Sequence, residues 1–131
     1  MIVVDASALT AFILREDGWR DIAEYLVRAV SIDHLLKEVS NAIWKAYYRE
    51  YISFDDALKA YNILKSMIGR NITLYPEIEY IDDALKIALE NRLTVYDSLY
   101  IVLARSMGGT LLTLDDEQAK VATKLGIKVH P

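Results

Sequence analysis

The chain has 131 residues, no cysteine, and a formal charge of −4 from fifteen basic and nineteen acidic side chains. Disulfides, thiolate zinc sites and cysteine nucleophiles are therefore excluded, and two histidines, His34 and His130, are too few for a histidine-rich metal centre. The acidic balance argues against the basic footprint of a nucleic-acid binder, unless bound cations neutralise some of the acids.

With 53% apolar residues, this length suits one compact domain over residues 1–131. Met1-Ile2-Val3-Val4 runs directly into Asp5 with no basic and apolar leader, so the expectation is a cytoplasmic protein with no membrane span. Residues 2–5 are a short β-branched run, as in a strand buried on both faces of a parallel sheet. A helix should follow from about Ser7. Apolar residues at helical spacing predict another over Trp19–Ala29, before a strand at Val30-Ser31-Ile32. His34 to about Tyr51 and Phe54–Ile68 read as a helical hairpin, the second helix capped by Ser53 and stopped by Gly69. Ile72–Tyr75 reads as a strand ended by Pro76, and Ile78 to about Asn91 as a helix. Tyr96–Met107 is an almost wholly apolar helix closed by Gly108-Gly109. Strand Thr110–Thr113, helix Glu117–Leu125 and strand Ile127–Val129 complete the chain. The alternation predicts an α/β fold with a parallel sheet between helical layers.

In such sheets the reactive edge is where strands end and helices begin. Four acids map there: Asp5 ends the first strand, Asp97 opens the apolar helix, Asp115 follows the strand at Thr110–Thr113, and Glu38 lies in the first turns of the helix after the second strand. Taken singly, each aspartate has an ordinary role as a helix cap, and Asp115 with Gln118 resembles a capping box. Glu38 is harder to assign to structure alone. It borders a core stripe of Leu35, Val39, Ala42, Ile43, Ala46 and Tyr47, with Asn41, Lys45 and Arg49 on its own flank. If the four converge, two carboxylates about 4 Å apart repel by roughly 4 kcal/mol at an effective dielectric near 20, so the cluster needs a cation. Oxygen-only ligands favour Mg²⁺ or Mn²⁺ over zinc, and such a metal suits phosphodiester hydrolysis.

The segments Ile-Val-Val-Asp5-Ala-Ser7-Ala-Leu, Leu-Leu-Lys-Glu38-Val-Ser-Asn41-Ala-Ile, Val-Tyr-Asp97-Ser-Leu-Tyr-Ile-Val-Leu-Ala104 and Leu-Leu-Thr113-Leu-Asp115-Asp116 occur in this order along nearly the whole chain. Together they resemble the VapC-type toxins of the PIN-domain superfamily. The resemblance implies a three-layer α/β/α PIN-like fold with a central parallel sheet and a protruding helical hairpin. It also implies a Mg²⁺- or Mn²⁺-dependent endoribonuclease acting on RNA, a homodimer, and a small VapB-like antitoxin as partner. Carried over, Asp5, Glu38, Asp97 and Asp115 become the catalytic metal-site acids, with Ser7, Thr113 and Asn41 as supporting groups. Asp116 either assists a second metal or caps the last helix. An RNA-processing PIN nuclease without an antitoxin, or an inactive PIN binding module, fits the same resemblance.

Lys45 and Arg49, about two and three turns beyond Glu38, either hold RNA phosphates or are ordinary surface charge. Trp44, Tyr48 and Tyr51 form an aromatic surface on the other side of that helix, for a dimer or antitoxin contact or for packing on the Phe54–Ile68 helix. His34 reads as a structural or helix-start residue that the chemistry does not need. Two other enzyme classes fit less well. A haloacid-dehalogenase-like phosphatase needs a second aspartate where Ser7 stands, and a phosphorelay receiver needs an acidic neighbour that Asp5 lacks.

Overall fold

The computed structural model describes all residues from Met1 to Pro131. Strand β1 (Ile2–Val4) lies at the centre of a five-stranded, wholly parallel sheet of order β3-β2-β1-β4-β5. The others are β2 (Ala29–Ile32), β3 (Ile72–Tyr75), β4 (Thr110–Leu112) and β5 (Val129–His130). Val3, Val4, Leu111 and Leu112 are buried, as expected of strands covered by helices on both faces. Seven helices do the covering: α1 (Ala6–Ile13), α2 (Trp19–Ala23), α3 (Leu35–Tyr48), α4 (Phe54–Met67), α5 (Ile81–Asn91), α6 (Val95–Met107) and α7 (Asp116–Lys124). The result is the three-layer α/β/α arrangement, with one continuous core of 32 buried apolar residues.

Helix α6 organises that core. Seven consecutive residues, Ser98 to Ala104, are buried, because the helix packs on β1, β2 and β4 and is flanked by α5 and α7. Burying a Leu or Ile side chain contributes about 1.5–3 kcal/mol, so Leu99, Ile101 and Leu103 are a large share of the driving force. The chain fills β1, β2 and β3 in one direction and then returns through α5 and α6 to place β4 on the other side of β1. The reversal opens a crevice beyond the ends of β1 and β4, where ligands of open α/β sheets bind.

Several boundaries differ from the sequence expectation, among them the start of α5, which follows a 3₁₀ turn at Glu77–Glu79 and begins at Ile81 instead of Ile78. The Trp19–Ala29 helix stops at Ala23, passes through a 3₁₀ turn at Glu24–Leu26, and yields Ala29 to β2. Ala29 is aligned with Ile72 of β3, and its amide donates to the Asn71 carbonyl, so sheet pairing outweighs helical periodicity. At the C-terminus the strand begins at Val129, because the Ile127 amide donates back to the Ala122 carbonyl at the end of α7. Helix α3 ends at Tyr48 instead of Tyr51. Only Leu35, Val39 and Ile43 of α3 are buried, since its later turns run past the sheet and protrude with α4 as the expected hairpin.

The turn from α6 into β4 requires glycine twice. Gly108 caps α6 in the left-handed region, with φ of 59°. At Gly109 a Cβ would sit 2.8 Å from the Met1 carbonyl oxygen, which accepts the Thr110 amide as β4 aligns on β1. Gly109→Ala is therefore expected to lower stability by about 1–3 kcal/mol in denaturant unfolding, by forcing the two central strands apart at their start. An unchanged midpoint would show that the strands accommodate the methyl group.

Candidate active site

Asp5 follows β1 and is 2% exposed. It is the N-cap of α1, where its Oδ1 accepts the Ala8 amide at 2.9 Å. Two hydroxyls complete its shell: Ser7 Oγ donates at 2.8 Å to Oδ1, and Thr113 Oγ1, just past β4, donates to Oδ2. Their directions are set by the backbone, since Ser7 Oγ accepts the Leu114 amide at 2.9 Å and Thr113 Oγ1 accepts the Asp115 amide at 3.0 Å. Each hydroxyl thus keeps its single proton for Asp5. The network ties the end of β1 to the loop after β4 across the crevice.

Asp115 is the N-cap of α7, its Oδ1 accepting the Gln118 amide at 2.8 Å. Asp97 lies in the first turn of α6, and its amide donates to the N-cap hydroxyl of Thr94 at 3.1 Å. Glu38, one turn into α3, is half-buried, and its Oε1 accepts the hydroxyl of the fully buried Tyr100 at 2.8 Å. All four acids line one cleft of about 850 Å³ together with Ser7, Asn41, Lys45 and the His34 and Tyr96 rings. Thr113 is buried beneath it, bonded to Asp5. Arg49, at the C-cap of α3, and the exposed Asp116, the first residue of α7, do not line the cleft.

Burial, with a smaller push from the Asp97 charge, raises the pKa of Asp5 to about 6 against the hydrogen bonds from Thr113, Ala8 and Ser7. Glu38 is raised chiefly by burial; the Tyr100 hydrogen bond and His34 oppose this, and Asp97 adds to it. Asp97 is raised by burial and then by the Asp115 charge, with Thr94 and Gln118 hydrogen bonds acting the other way. Tyr100, buried beside these acids, is pushed far up and stays a neutral donor. The shell around Asp5 is thus built for a carboxylate, while burial and neighbouring charge disfavour one. An added cation would resolve that conflict, and the carboxylate and hydroxyl donors suit a hard divalent metal. No three acids or imidazoles are already drawn together as a closed ligand cage, so a bound ion would have to pull them inward or be held partly by water.

The structure gives His34 and Gln118 places beside the acids that their readings as a helix-start residue and a capping-box partner did not include, and it adds Tyr100. His34 is four residues before Glu38, and its Nε2 is 3.4 Å from Glu38 Oε1 without a hydrogen bond to any group. The i,i+4 spacing was the available signal. Tyr100, three residues after Asp97, was hidden in the apolar run of α6. Gln118 is buried with its Oε1 unpartnered and its side chain lowering the Asp97 pKa. On α3, Trp44 and Tyr48 are 53% and 72% exposed, and Tyr51, just beyond the end of the helix, is 76% exposed; none of the three buries itself on α4. Tyr47, counted with the core stripe, is instead the one that meets Phe54, edge to face at 6.1 Å.

The sequence pattern of the PIN domain family matches residues 2–124. The chain belongs to the PIN-domain family. This PIN domain is 34% identical over 128 residues to "Ribonuclease VapC3" of Pyrobaculum aerophilum, across 91% of this chain and 92% of that one. It is 35% identical over 116 residues to "Exonuclease VapC9" of the same organism, across 88% and 80% of the two chains. These relatives place it among VapC-type PIN proteins. Among solved structures it resembles PAE2754 of P. aerophilum, with a TM-score of 0.73 and 26% identity over 98% of this chain and 89% of the other. The fold alone is shared with VapC20 of Mycobacterium tuberculosis, described as a sarcin-ricin loop cleaving toxin, at a TM-score of 0.67, 15% identity and coverage of 92% and 94%. The same holds for FitAcB of Neisseria gonorrhoeae at 0.66, 12%, and 100% and 97%.

The raised Asp5 pKa makes stability depend on pH. Folded Asp5 titrates near 6 and the unfolded group near 3.8, so the folded state binds the extra proton between these values. Its contribution therefore favours folding at low pH and is lost as pH rises through about 6, by about 3 kcal/mol in all. Glu38 and Asp97 act in the same direction. In EDTA, urea unfolding at about pH 4 and about pH 7 should show a larger acid-side gain for wild type than for Asp5→Asn. Equal pH slopes would mean that Asp5 is not held in this state.

Proposed function

We propose that this PIN domain, spanning residues 1–131, is a metal-dependent endoribonuclease, and the toxin of a VapBC-type pair acting in the cytoplasm. The observation that carries the reading is the convergence of Asp5, Glu38, Asp97 and Asp115, from four separate elements, on one cleft at the sheet's topological switch point. The similarity to a VapC ribonuclease over nine-tenths of both chains supports it. No helix is long and apolar enough to cross a membrane.

Asp5, Glu38, Asp97 and Asp115 are the groups that would hold Mg²⁺, or Mn²⁺ in its place. When bound, such an ion makes water a better nucleophile and stabilises charge on the phosphodiester. The chain's own residues do the rest. Ser7 and Thr113 aim the Asp5 carboxylate, and Tyr100 fixes Glu38. Glu38 and Asp97 line the cleft where a carboxylate oxygen not taken by the ion would accept the proton of an attacking water, as the water oxygen bonds to phosphorus, the P–O bond to the leaving ribose oxygen breaks and that oxygen takes a proton from solvent. Lys45, with Asn41 one turn earlier on α3, offers the cleft a positive charge and an amide for phosphate oxygens. Arg49 and Asp116 lie outside the cleft and take no part in this step; Asp116 strengthens the start of α7 by its charge.

Circular single-stranded RNA separates the endonuclease from an exonuclease, since it offers no end. Wild type should open the circle with Mg²⁺ or Mn²⁺ and not in EDTA, and Asp97→Asn should reduce the rate at least about 100-fold. Cleavage unaffected by EDTA and by Asp97→Asn would remove this mechanism, and trimming of linear RNA alone would make the protein an exonuclease.

The hairpin supports a homodimer and a VapB-like antitoxin as partners. Trp44 and Tyr48 stack at 5.2 Å on a protruding helix, and with Tyr51 they leave an aromatic area in water that a protein partner would cover. Size-exclusion chromatography with light scattering should give a dimer for wild type and a monomer for the double variant Trp44→Ala, Tyr48→Ala. A wild-type monomer would leave the face to the antitoxin alone.

A further inference from the structure

Tyr96 stands immediately before Asp97 on α6, lines the same cleft and is 57% exposed. Its ring is not loose. It stacks on His34 with centroids 4.6 Å apart and planes 10° from parallel. The His34 side chain is itself only 12% exposed, fixed at the start of α3 with its Nε2 close to Glu38. One face of Tyr96 is therefore covered, and the area left in water is its outer face and edges. A tyrosine kept for the core would bury both faces. This one presents a rigid, flat, amphipathic plate beside the carboxylates, backed by a second aromatic ring.

We propose that the outer face of Tyr96 is a nucleobase subsite, on which one base of a single-stranded RNA stacks while its neighbouring phosphate reaches the carboxylate cluster. The inference rests on the ribonuclease reading and adds to it the means by which substrate is held. An unstacked base offers a π-face whatever its identity, and a base on an aromatic ring contributes about 1–3 kcal/mol per base. The chain is acidic overall and its cleft carries several carboxylates, so charge alone attracts RNA poorly. Stacking gains nothing from positive charge and is the form of attraction this surface can offer. Lys45, from α3, lines the same cleft and supplies a cation for the backbone. Because Tyr96 and Asp97 are consecutive, a base on the ring sets the register of the phosphate over the acids. A base-paired strand, its faces already occupied, cannot use the plate, so the subsite selects unpaired nucleotides.

The test uses a short single-stranded RNA carrying 2-aminopurine at successive positions, bound to the full chain in EDTA so that nothing is cut. Stacking on an aromatic ring quenches this fluorophore. Wild type and Tyr96→Phe should quench it at one position of the strand, and Tyr96→Leu should not. Tyr96→Leu should also weaken binding, and raise KM for the same strand in Mg²⁺ with kcat little changed, by about tenfold. An abasic nucleotide at the quenched position should cost wild type the same factor and cost Tyr96→Leu nothing. Thermal unfolding of Tyr96→Phe should coincide with wild type, and Tyr96→Leu, which loses only the stack on His34, should remain folded at the assay temperature. Equal quenching and equal KM for wild type and Tyr96→Leu, with cleavage intact, would overturn the subsite and leave the nuclease standing. A wild type that neither binds nor cleaves RNA would overturn both.

Discussion

The Asp5 carboxylate is the point on which the site depends. It ends the central strand, starts α1 and receives two hydroxyls, one of them from the far side of the crevice beyond β4. Remove that carboxylate and Ser7 and Thr113 lose their common acceptor, although the Leu114 and Asp115 amides still hold their oxygens. The loop carrying Asp115 is thus registered to β1 by side chains as well as by strand pairing. In water a carboxylate would be well solvated; here it is buried among other acids, and three donors leave its pKa near 6. A tension of this kind is common where a protein prepares a place for charge it does not itself provide.

The remaining acids are arranged around the same edge by different means. Asp115 is held by capping its own helix, Glu38 by a buried tyrosine from α6, and Asp97 by its place in the first turn of that helix. Helix α6 therefore serves twice. Its middle supplies much of the apolar contact on β1, β2 and β4, and its first turns carry Tyr96, Asp97 and Tyr100 into the cleft. Packing in the core fixes the rotation of α6 and so the direction of those three side chains.

Much of this was legible in the sequence because local and long-range preferences agree. Asp5 after a β-branched run, Ser53 before Phe54, and Gly108-Gly109 after the α6 apolar run each mark an element boundary by their own chemistry, and each marks it correctly. The α2 region was less legible, since the fate of Ala29 depends on a strand more than forty residues away. So was Tyr47: helical spacing places it with Val39 and Ile43, but spacing does not reveal where the sheet ends and the helix runs on alone. In the cleft, the acids could be read from strand ends and helix starts. The hydroxyls that hold Asp5 could be read with it, but Tyr100 could not, because it sits in an apolar run until the fold turns its hydroxyl toward Glu38, and Gln118 reads from the sequence only as a capping partner of Asp115.

The double duty of the capping acids bears on how descendants of such a chain would change. Asp5 and Asp115 each accept a backbone amide at a helix start, so a lineage that no longer needed the chemistry would still be selected to keep them. Their survival in a distant sequence is therefore a record of folding as much as of activity. Glu38 and Asp97 accept no helix-start amide, and free of that constraint they would drift first. In a set of related chains, these two positions are where a lost function would become visible.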